Sequence, residues 1–570
     1  MLFLRVLTIA EAKTNTQERM SSPSISPAHP VAYLCAEYAL SDALPWYAGG
    51  LGVLAGDTLK QADDEQYPMI GIGLLYRGKN ALQHVDETGM QYETDDAYDP
   101  LQRGLQHVYD AQGDPLFITV QLGELPVWLR VWQYILPNSL PLYLLDTNTD
   151  QNPLEVRSLT EELYAGSDTL QLQKQIILGV GGVRLLEELR ITPSVYHCNE
   201  GRPIFAVWEL LARYTEREEM SFADAVALVR SQVVYTNHTL VAAGNKQYDL
   251  PKVESLALPY AERADVSVQE LVSLGVPGDQ DSFSPTVMAL NTSRAANGVC
   301  MLHTAISEKT WPDYNWVAIT NGVHMPTWKD TRIRADQSDQ ELWDAHLQLK
   351  RETVEYIQQK TGYRYNPEWL VVSWARRLAS YKQPELLFSD VERLRAILTN
   401  AERPVMLLMS GKAHQGDRAG KELLQTIIGY MRDTLPGHAL YIPGYSLGVA
   451  KMLVTGSDVW LNTPVFGLEA CGTSGMKAAA NGVIQASVAD GWVAEVDLTT
   501  AGWVLDHTDL QASLYTTLED VIAPLYYQRD GAGVPTEWLA RMRESMKIGE
   551  QFGTDRMLEQ YKTHFYTPHD

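Results

Sequence analysis

The sequence predicts an α/β protein of two domains, each built on a parallel, doubly wound sheet. Three observations carry this. The chain has 570 residues, too many for one hydrophobic core. From about residue 368, apolar runs of strand length alternate with stretches of helical spacing, the βαβ pattern of a parallel sheet. The first half repeats that alternation less regularly. The turn ITNGVHMPTW (319–328), marked by Asn-Gly and Pro, is the expected junction. This gives a leader over 1–30, a first domain over 31–328 and a second over 329–570, with the last helices expected to pack back on the first domain.

In the second domain WLVVSW (369–374), PVMLLMSG (404–411), ALYIPGY (439–445), VWLN (459–462) and GVIQASV (482–488) read as extended. Between them, PELLFSDVERLRAIL (384–398), RAGKELLQTIIGYMRDTL (418–435) and SLGVAKMLVTGS (446–457) have helical spacing. In the first domain VAYLCAEYAL (31–40) is strand-like and ends near Glu37. WYAGGLGVLAGDTLKQADD (46–64) then turns through Gly49, Gly50 and Gly52 into a helix. Such a helix entry offers backbone N–H groups to an anion, although a tight turn explains the glycines as well. SVYHCNEG (194–201) and QVVYTNHTL (232–240) read as strands, with His197, Glu200 and His238 at their ends. Residues 14–30 are rich in Ser and Pro, so ordered structure is expected to begin near Pro30.

The composition is 45% hydrophobic and 21% charged, which supports packed cores and excludes bulk disorder. A net charge of −25 disfavours nonspecific binding to nucleic acid or anionic membrane. The four cysteines lie far apart with no C-x-x-C, which suits a reducing, cytoplasmic location and gives no metal site. No apolar run reaches the ~18 residues of a membrane span. The opening MLFLRVLTIAEAK is interrupted by Arg5 and lacks a basic n-region, so it is not read as a signal peptide. No H-E-x-x-H, G-x-S-x-G or kinase pattern occurs.

Against this acidic background the basic residues gather. Arg376, Arg377 and Lys382 follow the first strand of the second domain, Lys412 and His414 the next, and Lys477 the VWLN strand. Ligands of open α/β sheets bind beyond the carboxyl ends of the strands. An anion, most simply phosphate, is the economical ligand for these cations; charges that merely follow strands are the alternative. Lys477 stands in EACGTSGMKAAANG (469–482), between a glycine-rich turn and an alanine run, and is expected in the first turn of a helix. The positive helix end and burial both lower a lysine's pKa, and a neutral amine suits imine chemistry. A solvated lysine is the other reading of this segment. The Walker spacing is absent.

Taken together, YAGGLGVLAGDTLK, VYHCNEG, YTNHT, ITNGVHMPTW, ARRLASYK, GKAHQGDRAGKEL, DVWLNTP and EACGTSGMKAAANG resemble, in family order, the α-glucan phosphorylases of the compact bacterial and archaeal type. The resemblance covers about 32–500 firmly. It implies a GT-B fold, two Rossmann-like domains with the active site in the cleft between them. It implies reversible phosphorolysis: inorganic phosphate removes the terminal α-1,4-glucosyl unit of a glucan or maltooligosaccharide as α-glucose 1-phosphate, with retention. It implies pyridoxal 5′-phosphate held by Lys477 as a Schiff base, its phosphate serving as a proton relay. By the same resemblance Arg377 and Lys382 bind substrate phosphate, and Arg376 stands near the cofactor phosphate with Thr473 and Gly475. Gly49 and Gly50 turn their backbone to substrate phosphate. His238 contacts the reacting glucose, and Asn321, Glu469, Cys471 and Gly472 hold its hydroxyls. By analogy the enzyme is a homodimer.

Three positions depart from the family pattern. Cys471 replaces a serine, putting a weaker hydrogen-bonding group toward the sugar. Arg202 replaces the histidine after Asn-Glu-Gly, where it shifts acceptor preference or pairs with an acid. Ser446 stands where the larger enzymes carry an arginine, as in the rest of the compact branch. The regulatory N-terminal segment of large phosphorylases has no counterpart, so no phosphorylation or AMP switch of that type is expected. Competing readings are a retaining sugar-nucleotide glucosyltransferase of the same fold and a glucan-binding pseudoenzyme. An aminotransferase-type enzyme fits less well, because no carboxylate partner for a pyridine nitrogen stands out.

Overall fold

Strand-length apolar runs and glycine-entered helices assemble into two main sheets, one mixed and one wholly parallel, in the computed structural model, which describes residues 24–240, 245–278 and 280–567. Residues 1–23 of the expected leader lie outside the described residues. Its remainder is tied down: Ser26 and His29 form a bridge, and the His29 ring meets the Thr192 carbonyl at 2.9 Å.

The first sheet has ten strands. Seven are parallel, in the spatial order Trp316–Ala318, Ala295–Gly298, Val233–Thr236, Val195–Asn199, Val31–Leu34, Met69–Leu74, Pro141–Asp146. Antiparallel strands, including Leu125–Ile135, extend its far edge. The order reverses between Val31–Leu34 and Val195–Asn199, which both begin the two directions of growth. Every residue of Val31–Leu34 is buried, as a strand covered on both faces requires.

The second sheet is six-stranded and wholly parallel, ordered Ala439–Ile442, Val405–Ser410, Leu370–Ala375, Val459–Asn462, Ile484–Val488, Gly502–Leu505. In chain order this is 3-2-1-4-5-6, a doubly wound sheet with its reversal between Leu370–Ala375 and Val459–Asn462. The helical spacing over 384–398 does not form one helix. Asp390 accepts from the Arg393 amide as an N-cap, which ends a short 3-10 turn over Pro384–Phe388 and starts a new helix over Val391–Leu398.

Connections from both ends of the chain help tie the sheets together. The hairpin Leu82–Val85 with Gln91–Thr94 belongs to the first half but docks on the second sheet. Its Gln83 amide donates to the Gly411 carbonyl at 2.9 Å, and Gln91 exchanges hydrogen bonds with the Ala413 backbone at 2.9 and 3.0 Å. At the other end of the chain, Thr554–Tyr561 carries Met557, Leu558 and Tyr561 into the core of the first sheet. Tyr566 completes this with a hydroxyl 2.7 Å from His197 Nδ1. No helix among the described residues is long and apolar enough to cross a membrane.

Candidate active site

Past the reversal point of the first sheet the chain delivers Glu37 and Glu200. Glu37 Oε2 accepts from the Ala48 amide at 2.6 Å and from the Gly49 amide at 3.2 Å, while Tyr164 donates to Oε1. One carboxylate thus pins the glycine turn. A Cβ at Gly52 would lie 2.8 Å from Glu37 Oε2, so this glycine permits the close approach. At Gly49 and Gly50, by contrast, a Cβ would meet nothing within 4 Å among the described residues.

Glu200 has a positive φ of 73° and accepts from the His238 amide at 2.8 Å. Burial pushes its carboxyl up to about 7, against hydrogen bonds from the His238 and Gly201 amides and the charge of Arg202. The His238 ring is held by Asn199, Nε2 to Oδ1, at 2.6 Å. Burial first, and then the neighbouring imidazoles His303 and His197, bring it down to about 3. His238 is therefore a neutral ring donating from Nε2. Arg202 makes no ion pair among the described residues; it stacks 4.5 Å over the Tyr164 ring and donates to Gln171 Oε1 at 3.1 Å.

The second sheet supplies the cations. Arg376 leaves Leu370–Ala375 and crosses the reversal point to donate to Asn462 Oδ1 and, at 3.0 Å, to the Leu461 carbonyl. Lys382 Nζ lies 3.0 Å from both oxygens of Glu469, and Arg376 Nη1 lies 3.5 Å from Glu469 Oε2. Burial alone would raise the Glu469 carboxyl, but Lys382 and Arg376 hold it below the ordinary carboxylate range. Arg377 is exposed and forms no ion pair among the described residues; burial first, and then its charge, lower the His414 pKa. Lys412, lowered by burial, feels the opposing charge of Glu37 from the first half.

Lys477 lies on the helix Thr473–Ala480, whose N-cap is Gly472 at φ 83°. The helix starts early enough to move Lys477 from the expected first turn into the second. Of the two expected causes of a lowered pKa, burial is the larger: it brings the amine to about 8, with Asp57 opposing and Lys60 adding to the shift. Its Nζ sits 3.9 Å from the centroid of the Trp328 ring. Trp328 Nε1 in turn donates to Asp57 Oδ2 at 2.7 Å. At the helix entry, the Thr473 and Ser474 amides have no partner among the described residues, whereas Gly475 donates to the Gly472 carbonyl at 3.2 Å. A Cβ at Gly475 would meet Gln485 Oε1 at 2.8 Å and Trp492 Nε1 at 2.9 Å, so this glycine serves packing.

The Cys471 side chain packs inward. It is buried with Val299, Cys300 and Trp492, its thiol meets the Asn321 amide, and its carbonyl accepts from Trp492 N at 3.0 Å. The exchange of serine for cysteine therefore falls on the core side of the turn. Asn321 is buried, and Arg556 donates to its carbonyl at 2.8 Å, but its side-chain Oδ1 has no partner. Arg376 Nε and Asp57 Oδ1 are likewise buried and unpartnered among the described residues. Polar atoms left in this way cost free energy unless something supplies the missing bond. The sequence marks Glu37 only as a strand end and gives Asp57 no role. Both sit in apolar surroundings with no motif spacing; only their burial as charged residues reveals them.

Behind Lys477, the helix Thr536–Glu550 packs on Thr473–Ala480 through Gly549, where a Cβ would lie 2.3 Å from the Ala480 backbone nitrogen. Gly549→Ala must push the lysine helix aside and should cost about 1–3 kcal/mol, read as a lower urea midpoint.

Comparisons with known proteins agree on one group. A family profile described as "Carbohydrate phosphorylase" matches residues 330–501. A maltodextrin phosphorylase of Thermococcus litoralis is 36% identical over 94% of this chain and 70% of its own length. A glycogen phosphorylase of Aquifex aeolicus is 33% identical over 94% of this chain and 86% of its own. An uncharacterised protein of Methanocaldococcus jannaschii is 30% identical over 94% of this chain and 99% of its own, so it shares the compact length.

Proposed function

The chain belongs to the carbohydrate phosphorylase family, and from that premise we propose that it is an α-1,4-glucan phosphorylase. It transfers terminal α-glucosyl units of a maltooligosaccharide or glycogen-like glucan to inorganic phosphate, reversibly and with retention, giving α-glucose 1-phosphate. The observation that carries the reading is the cluster of Arg376, Lys382 and Glu469 beyond the carboxyl end of a central strand, with Glu469 in the turn that leads into the buried Lys477 helix. We read the two doubly wound sheets as the two domains of a GT-B architecture, joined near Trp328, with the reaction in the cleft between their reversal points.

The residues fit pyridoxal 5′-phosphate. A buried amine lowered to about 8, two unpartnered amides at a helix entry and the unpartnered Arg376 Nε are a donor set for an aldehyde and a phosphate. Lys477 would hold the group, with Thr473, Ser474 and Arg376 around its phosphate; Gly475 would contribute by close packing. When bound, the cofactor supplies a phosphate able to exchange a proton with substrate phosphate.

The chain's own residues supply the rest. Lys382, with Arg377 from the exposed side, receives substrate phosphate. An entering phosphate competes with Glu469 for Lys382, and each lysine contact it takes frees a carboxylate oxygen to accept a glucose hydroxyl. Asn321 Oδ1 offers a second buried acceptor to the sugar. Gly49 and Gly50 leave room for the phosphate to approach backbone. The neutral His238, fixed by Asn199 and Glu200, orients its own backbone toward the reacting glucose, where carbonyl dipoles stabilise positive charge at C1. Phosphate donates its proton to the departing glycosidic oxygen and bonds to C1 on the same face.

The test is to incubate the purified protein with maltodextrin and inorganic phosphate and to measure glucose 1-phosphate, alongside borohydride trapping and mass analysis of the Lys477 peptide. Phosphate-dependent glucose 1-phosphate with a pyridoxyl-phosphate adduct on Lys477 is expected. No product and no adduct after incubation with pyridoxal 5′-phosphate would overturn the reading.

A further inference from the structure

We propose that Asp57 is the counter-charge of the Lys477 nitrogen, the residue that sets how much of this amine is neutral and ready to take a carbonyl cofactor. This deepens, and rests on, the reading of Lys477 as the cofactor lysine. Asp57 lies in the helix Gly50–Asp64 and is 1% exposed. A carboxylate buried so deeply needs either several donors or a nearby cation. Its Oδ2 has donors: Trp328 Nε1 at 2.7 Å and, at 3.3 Å, the His324 amide. Its Oδ1 has none among the described residues.

The same indole links it to the lysine. Asp57 binds the edge of the Trp328 ring, and Lys477 Nζ sits on its face, 3.9 Å from the centroid. Asn481 locks this arrangement by donating to the Trp328 and Lys477 carbonyls, each at 2.9 Å. The indole cannot drift without taking the lysine helix along.

Other charged groups around the lysine are occupied elsewhere. His324 meets Asp64 at 3.0 Å, Lys329 pairs with Glu550, and Asp330 pairs with Arg332 at 2.9 Å. Lys451, on Leu447–Gly456, acts on Lys60 and Asp330. Lys60, one turn after Asp57, donates to Thr327 Oγ1 at 3.4 Å and itself feels Asp57. Asp57 and Lys60 are left as the charges that act on Lys477, with opposite signs. One carboxylate thus acts on a buried amine, Lys477, and a half-buried one, Lys60, and the share it gives Lys477 fixes that lysine's proton affinity. The competing view is that Asp57 merely fastens Trp328.

The two views differ in a titration. The full-length protein, freed of bound carbonyl compounds, is pulsed with acetic anhydride between pH 6 and 10, and acetylation of the Lys477 peptide is followed by mass. Asp57→Asn keeps an acceptor for Trp328 and the shape of the site but removes the charge. Losing an attractive anion makes the proton easier to remove, so the labelling midpoint should fall by about one pH unit or more. Lys60→Gln removes the competitor and should raise the midpoint. An unchanged midpoint in Asp57→Asn overturns the proposal. Should that variant not fold, an unchanged midpoint in Lys60→Gln overturns it and a raised one supports it. Borohydride trapping of pyridoxal 5′-phosphate on the unaltered protein is read separately: absence of an adduct defeats the cofactor reading and leaves the acetylation result to decide Asp57.

Discussion

Replacing Lys477 with methionine is expected to leave a folded chain that releases essentially no glucose 1-phosphate. Methionine has nearly the reach of lysine and no charge, and its sulfur can rest on the Trp328 ring where Nζ now lies at 3.9 Å. The lysine is 6% exposed, so the substitution removes a burial cost as well as an attraction to the indole. Because the buried Asp57 carboxylate then loses one of its two neighbouring cations, stability should fall, by no more than about 3–5 kcal/mol, the cost of breaking a buried charge pair outright. Asp57 keeps its Trp328 and His324 donors and the field of Lys60. Activity should fall by at least about 10³-fold, the upper range for loss of one electrostatic contribution, because the whole cofactor is lost with its attachment. The check pairs a urea curve with phosphate-dependent glucose 1-phosphate release. Activity within tenfold of the unaltered protein would mean that Lys477 holds nothing the reaction needs.

That lysine shows what is legible in one sequence. Its segment announces a helix after a glycine turn, and the helix is there. Its position within the helix differs by a turn from the expected one, because Gly472 is the N-cap and Thr473 to Gly475 of the glycine-rich turn are already helical. The strands that carry Arg376 and Lys412 were legible because strands buried on both faces read as continuous apolar runs. The order in which those strands pair was not. Nothing local tells Leu370–Ala375 to sit beside Val459–Asn462, yet this adjacency is what joins Arg376 to Asn462 and Glu469. The hairpin at Leu82–Val85 and Gln91–Thr94 escaped notice for a related reason. Its buried face carries Gln83 and Gln91, whose partners are backbone groups more than 300 positions away, so no hydrophobic alternation marks it. Asp57 was hidden in the same way: within GDTLK it reads as an ordinary helical acid until Trp328 closes over it.

Asp458→Ala should destabilise the protein by about 3–5 kcal/mol without touching the reaction cleft. Asp458 immediately precedes the strand Val459–Asn462, at the end of the sheet opposite Arg376. Its side chain is wholly buried and serves three donors. Oδ2 takes Lys350 Nζ at 2.6 Å and the Val371 amide at 2.7 Å, and Oδ1 takes the His346 ring at 2.7 Å. Burial alone would raise this carboxyl; Lys350 and then His346 hold it below the usual range, so it is charged at neutral pH. Alanine leaves Lys350 with only the Trp369 carbonyl and the Tyr526 hydroxyl, both at 2.7 Å, and no anion. It also strips the partner from a backbone amide in the central strand. The penalty should be read from urea midpoints at pH 7 and again in acid. A carboxylate whose folded pKa lies below its unfolded value, about 4, stabilises the fold above that pH and loses the contribution as pH falls through the folded value. The gap between the two proteins should therefore narrow below about pH 4. Replacing Asp458, Lys350 and His346 together by leucine or methionine should recover only part of the loss, because the Val371 amide stays unpaired. A full recovery would mean that the charges, and not the strand amide, were the whole cost; no loss in Asp458→Ala would mean that this buried network contributes nothing to holding the second sheet together.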